Sequence, residues 1–114
     1  MASVEYLIKQ FLSPDKKVLD LSNQVLGDKG ALTLANSKQL KRVKRLTLAN
    51  INISDEGAIA IANSEKFKNL AELDFYGNVI SDDGVKALAE SPSMANLKKL
   101  NLYGNLVEDE GAIA

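Results

Sequence analysis

The sequence predicts an α/β fold of stacked strand–helix units, with a parallel sheet along one side and helices along the other. The first sign is a fixed period. Gly30, Gly57, Gly84 and Gly111 stand 27 residues apart, as do Leu19, Leu46, Leu73 and Leu100, and Asp28, Asp55, Asp82 and Asp109. A period of this length marks supersecondary units, none of which buries its apolar face alone. The second sign is alternation: VKRLTLANINI (43–53), LAELDFYGNVI (70–80) and LKKLNLYGNLV (97–107) place apolar residues at every other position, the period of a half-buried strand. The third is helical spacing in the remainder of each unit. Ala31, Leu34 and Ala35 fall at i, i+3 and i+4, as do Ala58, Ile61 and Ala62, and Val85, Leu88 and Ala89. Small residues on that face let each helix lie close to the sheet.

Taken in order, the elements begin with Ser3, a capping residue for a helix over 3–12 whose apolar positions are Val4, Leu7, Ile8, Phe11 and Leu12; Pro14 follows its end. This segment does not fit the period. A repeat array requires a terminal cap with one polar side, so residues 1–15 are expected to form an N-terminal capping helix and 16–114 four repeats, the last incomplete. The acids Asp28, Asp55 and Asp82 at the helix starts are expected to cap their own helices or to complement their dipoles. The chain closes on EDEGAIA (108–114), the opening of a phrase read earlier as SDEGAIAIANSEKF (54–67). The last unit is therefore expected to present an open apolar side through Leu102, Leu106, Val107 and Ile113. Three outcomes follow from that end: a longer array of which this is a fragment, a homodimer closed across it, or fraying.

The pattern LxxLxLxxNxI stands at Leu70, Leu73, Phe75, Asn78 and Ile80, and at Leu97, Leu100, Leu102, Asn105 and Val107. In this the chain resembles the leucine-rich repeats. GALTLA, GAIAIA and GVKALA resemble the helical half of ribonuclease-inhibitor-like repeats, and more closely the GALA subtype. The resemblance covers roughly residues 16–114 and implies a right-handed solenoid with a parallel concave sheet and outer helices. It also implies that Asn78 and Asn105 turn inward and satisfy backbone groups of the bend after the strand. Gln24 and Ile51 occupy that position in the first two units, and Ile51 predicts an altered bend. Ribonuclease inhibitors are rich in Cys and this chain has none, so ribonuclease binding is not implied.

Composition narrows the chemistry. With no Cys and no His, disulfides, thiolate or imidazole metal ligands and the common catalytic triads are excluded. The recurrent Gly30, Gly57, Gly84 and Gly111 stand once per unit at helix starts and form no phosphate loop, so an enzyme is not expected and no cofactor is implied. The acids of EDE (108–110), with Asp82 and Asp83, lack the spacing of a calcium loop. No apolar run approaches the ~18 residues of a membrane span, and Glu5 and Lys9 interrupt any export signal, so a cytoplasmic protein is expected, signal-less export remaining open. The run KQLKRVKR (38–45) carries core residues Leu40 and Val43, and its cations are assigned to a solvated rim near helix ends rather than to nucleic acid.

The strand residues flanking the inward leucines form three outward columns: Val18, Arg45, Glu72, Lys99; Asp20, Thr47, Asp74, Asn101; and Ser22, Ala49, Tyr76, Tyr103. Tyr is a stiff, amphipathic interface anchor. Protein–protein recognition on the concave face is therefore the expected function, with Glu72, Asp74, Tyr76, Lys99, Asn101 and Tyr103 as the contact set. Tyrosines that merely support one another on a sheet surface are the bland reading of the same pair. Self-association through the open end is the alternative function. An accessory role in catalysis, as in the Ran GTPase-activating proteins that share the ribonuclease-inhibitor-like repeat, has no residue here to carry it.

Overall fold

Ser3 accepts the backbone N–H of Tyr6 at 3.1 Å and opens α1 (Val4–Phe11), in a computed structural model that describes residues 3–106. Leu7 and Ile8 are buried and Val4 and Leu12 partly so, while Phe11, counted in the apolar stripe, is 44% exposed. Four short parallel strands follow in the order β1 (Val18–Asp20), β2 (Arg45–Thr47), β3 (Glu72–Asp74) and β4 (Lys99–Asn101). Partners stand 27 residues apart throughout, so Leu19, Leu46, Leu73 and Leu100 lie side by side. The helices α2 (Gly27–Ala35), α3 (Asp55–Ala62) and α4 (Asp82–Glu90) alternate with the strands, each followed by a 3₁₀ turn: Lys38–Leu40, Glu65–Phe67 and Pro92–Met94. Between helices and sheet lies one core, in which Leu34, Leu40, Leu46, Ile61, Phe67 and Phe75 are fully enclosed. On the outer helical face Leu32 and Ile59 remain exposed, at 55% and 36%.

At the N-terminal side, α1 packs on α2 and β1. Leu12 bridges Leu19 in the antiparallel sense, and the Ser13 N–H donates to Val18 O at 2.9 Å, so the outer edge of β1 is covered. At the other side β4 pairs only with β3 among the described residues. No helix among those residues is long and apolar enough to cross a membrane.

Successive units are joined by polar side chains that each reach across one unit. Asp28 does not cap its own helix. Its Oδ1 accepts the N–H groups of Ser54 (2.8 Å) and Gly57 (2.9 Å) at the start of α3, and its Oδ2 accepts the Ser54 hydroxyl at 2.6 Å. Asp55 repeats this at α4, accepting from Ser81 N, Ser81 Oγ and Gly84 N. The first-turn placement holds for Asp28, Asp55 and Asp82, but self-capping is corrected for the first two: the carboxylates of Asp28 and Asp55 serve the next helix, where the orphan N–H groups of a first turn point. The recurrent glycine belongs to the same device. A Cβ at Gly57 would stand 2.5 Å from Asp28 Oδ1, and one at Gly84 2.7 Å from Asp55 Oδ1. Burial pushes the Asp55 carboxyl up, but the Ser81 hydroxyl and the Ser81 and Gly84 amides outweigh it and hold it below its ordinary value.

Two further ladders run alongside. Ser64 Oγ donates to Ala35 O and Ser91 Oγ to Ala62 O, tying the second and third 3₁₀ turns to the end of the helix one unit earlier. Asn78, 4% exposed, accepts from Ile51 N (3.1 Å) and Ile53 N (3.2 Å) and donates to Leu48 O and Phe75 O, both at 2.9 Å. Asn105 accepts Ile80 N at 2.9 Å and donates to Phe75 O and Leu102 O. The second bend follows another path, as Ile51 predicts. Asn52 takes φ 60° where Val79, one unit on, has no positive φ. Val79 N–H donates back to Ile53 O, and Leu106 N–H to Ile80 O; between the first two units the bond runs forward instead, from Gly27 N–H to Ile51 O at 2.9 Å.

Candidate interaction surface

The alternation along β3 buries Leu73 and turns Glu72 and Asp74 outward, and β4 does the same with Lys99 and Asn101. Register sets Glu72 between Arg45 and Lys99, and Asp74 between Thr47 and Asn101. These residues line a shallow hollow of about 280 Å³ floored by Leu46, Leu73 and Leu100. Arg45 Nη2 lies 3.3 Å from Glu72 Oε2. Both side chains are well exposed, so the pair is worth at most ~1 kcal/mol and holds Glu72 in place more than it stabilises the fold. Arg45 was outside the expected contact set, although its column position beside Glu72 signalled it.

Asp74 and Asn101 have a second task. Asp74 Oδ1 accepts the Tyr76 N–H at 2.8 Å, and Asn101 Oδ1 the Tyr103 N–H at 2.9 Å. Asp20 does the same for Ser22 at 2.9 Å. These side-chain turns bend the chain off the strand and aim whatever stands two residues on. In the last two units that residue is Tyr. The rings of Tyr76 and Tyr103 stack with centroids 5.9 Å apart and planes 10° apart, and they remain 41% and 75% exposed. The structure thus brings the six expected residues onto one surface: a polar, charged hollow flanked by an aromatic pair.

The second expected set divides. Leu106 is 64% exposed, whereas Leu102 lies in the core at 3%; Val107 and Ile113 are outside the described residues. An apolar hollow of about 270 Å³ does lie at that end, lined by Val85, Leu88, Ala89, Met94, Leu97 and Leu100 with Lys98 and Lys99. Leu97 and Leu100 are only partly buried, while their counterparts Leu70 and Leu73 are enclosed. These two, not Leu102, face the hollow, and the period itself could have pointed to them.

Charge is segregated along the fold. Asp28, Asp55, Glu56, Asp82 and Asp83 occupy first helical turns. Lys41, Arg42, Lys44 and Arg45, then Lys68, then Lys98 and Lys99, lie exposed on the opposite rim, where the chain enters each strand. The last turns of α2, α3 and α4 contain no basic residue. Helix dipoles, which act within one turn, therefore do not account for these cations, and that expectation is corrected. Asp15 also sits on this rim. The Ser13 hydroxyl and the Lys17 amide hold its carboxyl below the ordinary range, with help from the charges of Lys17 and Arg42.

The model of the Leucine Rich repeat family matches residues 43–62, 68–89 and 93–114. No curated protein matches the chain. The matched segments take in β2, α3, β3, all but the last residue of α4, and β4, more than half of the sequence, and they contain both inward-turned asparagines and both stacked tyrosines. The chain belongs to the leucine-rich-repeat family.

Proposed function

We propose that this protein recognises another protein on the concave strand face, using Glu72, Asp74, Tyr76, Lys99, Asn101 and Tyr103. Repeats of this family generally mediate protein–protein interaction and are typically non-enzymatic. The observation that carries the reading is the exposed Tyr76–Tyr103 stack, pre-aimed by Asp74 and Asn101 beside a charged hollow. Rings already held in place lose little freedom on binding. The architecture proposed with it is a right-handed solenoid of 27-residue ribonuclease-inhibitor-like units over 16–114, capped by 1–15. Parallel strands joined through helices favour that hand, and the packing of α1 and Leu12 over β1 supports the cap. A cytoplasmic location belongs to the same proposal, as do the absence of a cofactor and of nucleic-acid or membrane partners.

The test begins with a peptide library selected on the immobilised chain. Tyr76→Ala with Tyr103→Ala should weaken the selected peptides by about tenfold or more. The thermal midpoint should move by less than about 5 °C, since the rings are exposed and the stack contributes only ~1 kcal/mol. A collapsed midpoint would make the pair structural. Self-association is the second reading, favoured by the apolar hollow beside α4. Light scattering over a wide concentration range should then show a dimer that Ala89→Glu and Leu106→Glu abolish; a monomer throughout removes that reading.

A further inference from the structure

We propose that the lysine rim at the strand entries is a docking surface for a short acidic polypeptide segment. Within the fold these cations are unexplained. None lies in the last turn of an α-helix, Lys41 and Lys68 close only the single 3₁₀ turns Lys38–Leu40 and Glu65–Phe67, and Lys41, Lys44, Lys68 and Lys98 enter no ion pair among the described residues. Several also stand against their own kind. Lys41 and Lys68 hold the same position in successive units, and Asn69 and Asn96 donate to their carbonyls at 2.8 and 2.9 Å, which fixes the backbone there. Like charges one strand spacing (~5 Å) apart repel. Lys44 and Lys98 flank Ala71, which donates to Lys44 O at 2.8 Å and accepts from Lys98 N at 2.7 Å. Two spacings, ~10 Å, separate the two lysines. The gap above the small Ala71 side chain opens into a hollow of about 370 Å³ that Asn69 and Asn96 also line. A carboxylate seated over Ala71 lies within reach of both ammonium groups.

The occupant is a polypeptide rather than a nucleic acid for two reasons. No aromatic residue occurs in 41–45, 68–72 or 95–99, so bases find no stacking platform. The chain's net charge is −1 and its opposite rim is acidic, so a long polyanion is repelled by the rest of the molecule. Screening over ~8 Å confines the attraction to the rim itself, which suits a short segment.

The probe is a fluorescent oligoglutamate of about ten residues, followed by anisotropy with the whole chain at about 20 mM salt, beside an oligothymidylate of equal charge. Oligoglutamate should bind saturably and more tightly than the oligonucleotide. Lys44→Gln with Lys98→Gln should weaken it about tenfold, while Lys29→Gln with Lys86→Gln, exposed on the helices, should change it less than about twofold. Tyr76→Ala with Tyr103→Ala should leave it unchanged, which separates this surface from the tyrosine face. No saturable binding, equal loss in the helix-lysine variant, or tighter binding of the oligonucleotide would each overturn the proposal.

Discussion

Asn78→Ala removes a side chain with five hydrogen bonds, more than any other side chain shows among the described residues. Its amide is enclosed and serves Ile51 N, Ile53 N, Leu48 O and Phe75 O at 2.9–3.2 Å. Alanine leaves two buried N–H groups without an acceptor in an enclosed site. An unsatisfied buried group costs about 1–3 kcal/mol, so two donors cost about 2–6 kcal/mol, and the carbonyls add less because each has a second lone pair. A chain of this size has a total stability of roughly 6–17 kcal/mol. At ~4 °C per kcal/mol, the thermal midpoint should fall by about 8–24 °C. Urea unfolding measures the loss directly, and hydrogen exchange should accelerate first at the amides of Ile51 and Ile53. Asn105→Ala is the internal comparison. Asn105 is only partly buried, so water can replace its amide and the loss should be smaller by at least ~1 kcal/mol. A loss under ~1 kcal/mol for Asn78→Ala, or equal losses at both positions, would refute the reasoning.

Three other expectations follow. Ile51→Asn restores the family pattern yet should destabilise by about 2–4 kcal/mol in urea. Ile51 is fully enclosed and its bend, with Asn52 at φ 60°, does not present the backbone groups that Asn78 meets. A stabilised variant would show that the pattern outweighs the local path. Gly84→Ala should cost about 1–3 kcal/mol, because the new methyl would stand 2.6 Å from Ile80 Cγ2 and 2.7 Å from Asp55 Oδ1; an unchanged urea midpoint would show that the two neighbours move apart freely. Asp55→Asn should cost about 1–2 kcal/mol near neutral pH, when the carboxylate's charge-assisted bonds are lost. The folded value of Asp55 lies below its unfolded 3.8, so its contribution is full above that value and fades as pH falls through the folded value. The stability gap between wild type and Asp55→Asn should therefore be constant at neutral pH and shrink below about pH 4; a gap unchanged at pH 2 would contradict the linkage.

Much of the surface was legible because it is periodic. Once Leu46, Leu73 and Leu100 are taken as inward residues, alternation alone turns Glu72, Asp74, Lys99 and Asn101 outward, and the shared period puts Tyr76 beside Tyr103. Ile51 announced its irregular bend by lacking the side chain that the bend needs. Contacts between units were less legible. Asp28 and Asp55 stand at helix starts, where local rules assign them to their own helices, yet both reach the next one. A column of acids looks the same in either case. The cations stand on the solvated rim expected of them, but the helix dipole was the wrong cause, for a related reason. Lys41 and Lys44 follow a helix in sequence, but a 3₁₀ turn intervenes and places them beyond its last turn.

By itself the sequence determined the repeating unit, its strand and helix halves, and which residues face the core, because each of these is a spacing along one chain. Only the tertiary structure decided how the units are joined. Asp28 meets Gly57, Asn78 meets Ile51, Ser64 meets Ala35 and Arg45 meets Glu72 across 25–30 residues. Those partnerships depend on the offset between stacked units and the direction each side chain takes across it. The capping acids and serines recur in successive units, so the spacing does not say whether such a polar group bonds within its own unit or with the one before or after. The stacking that buries the shared core selects one answer, since buried N–H groups must be satisfied from whichever unit stands next to them.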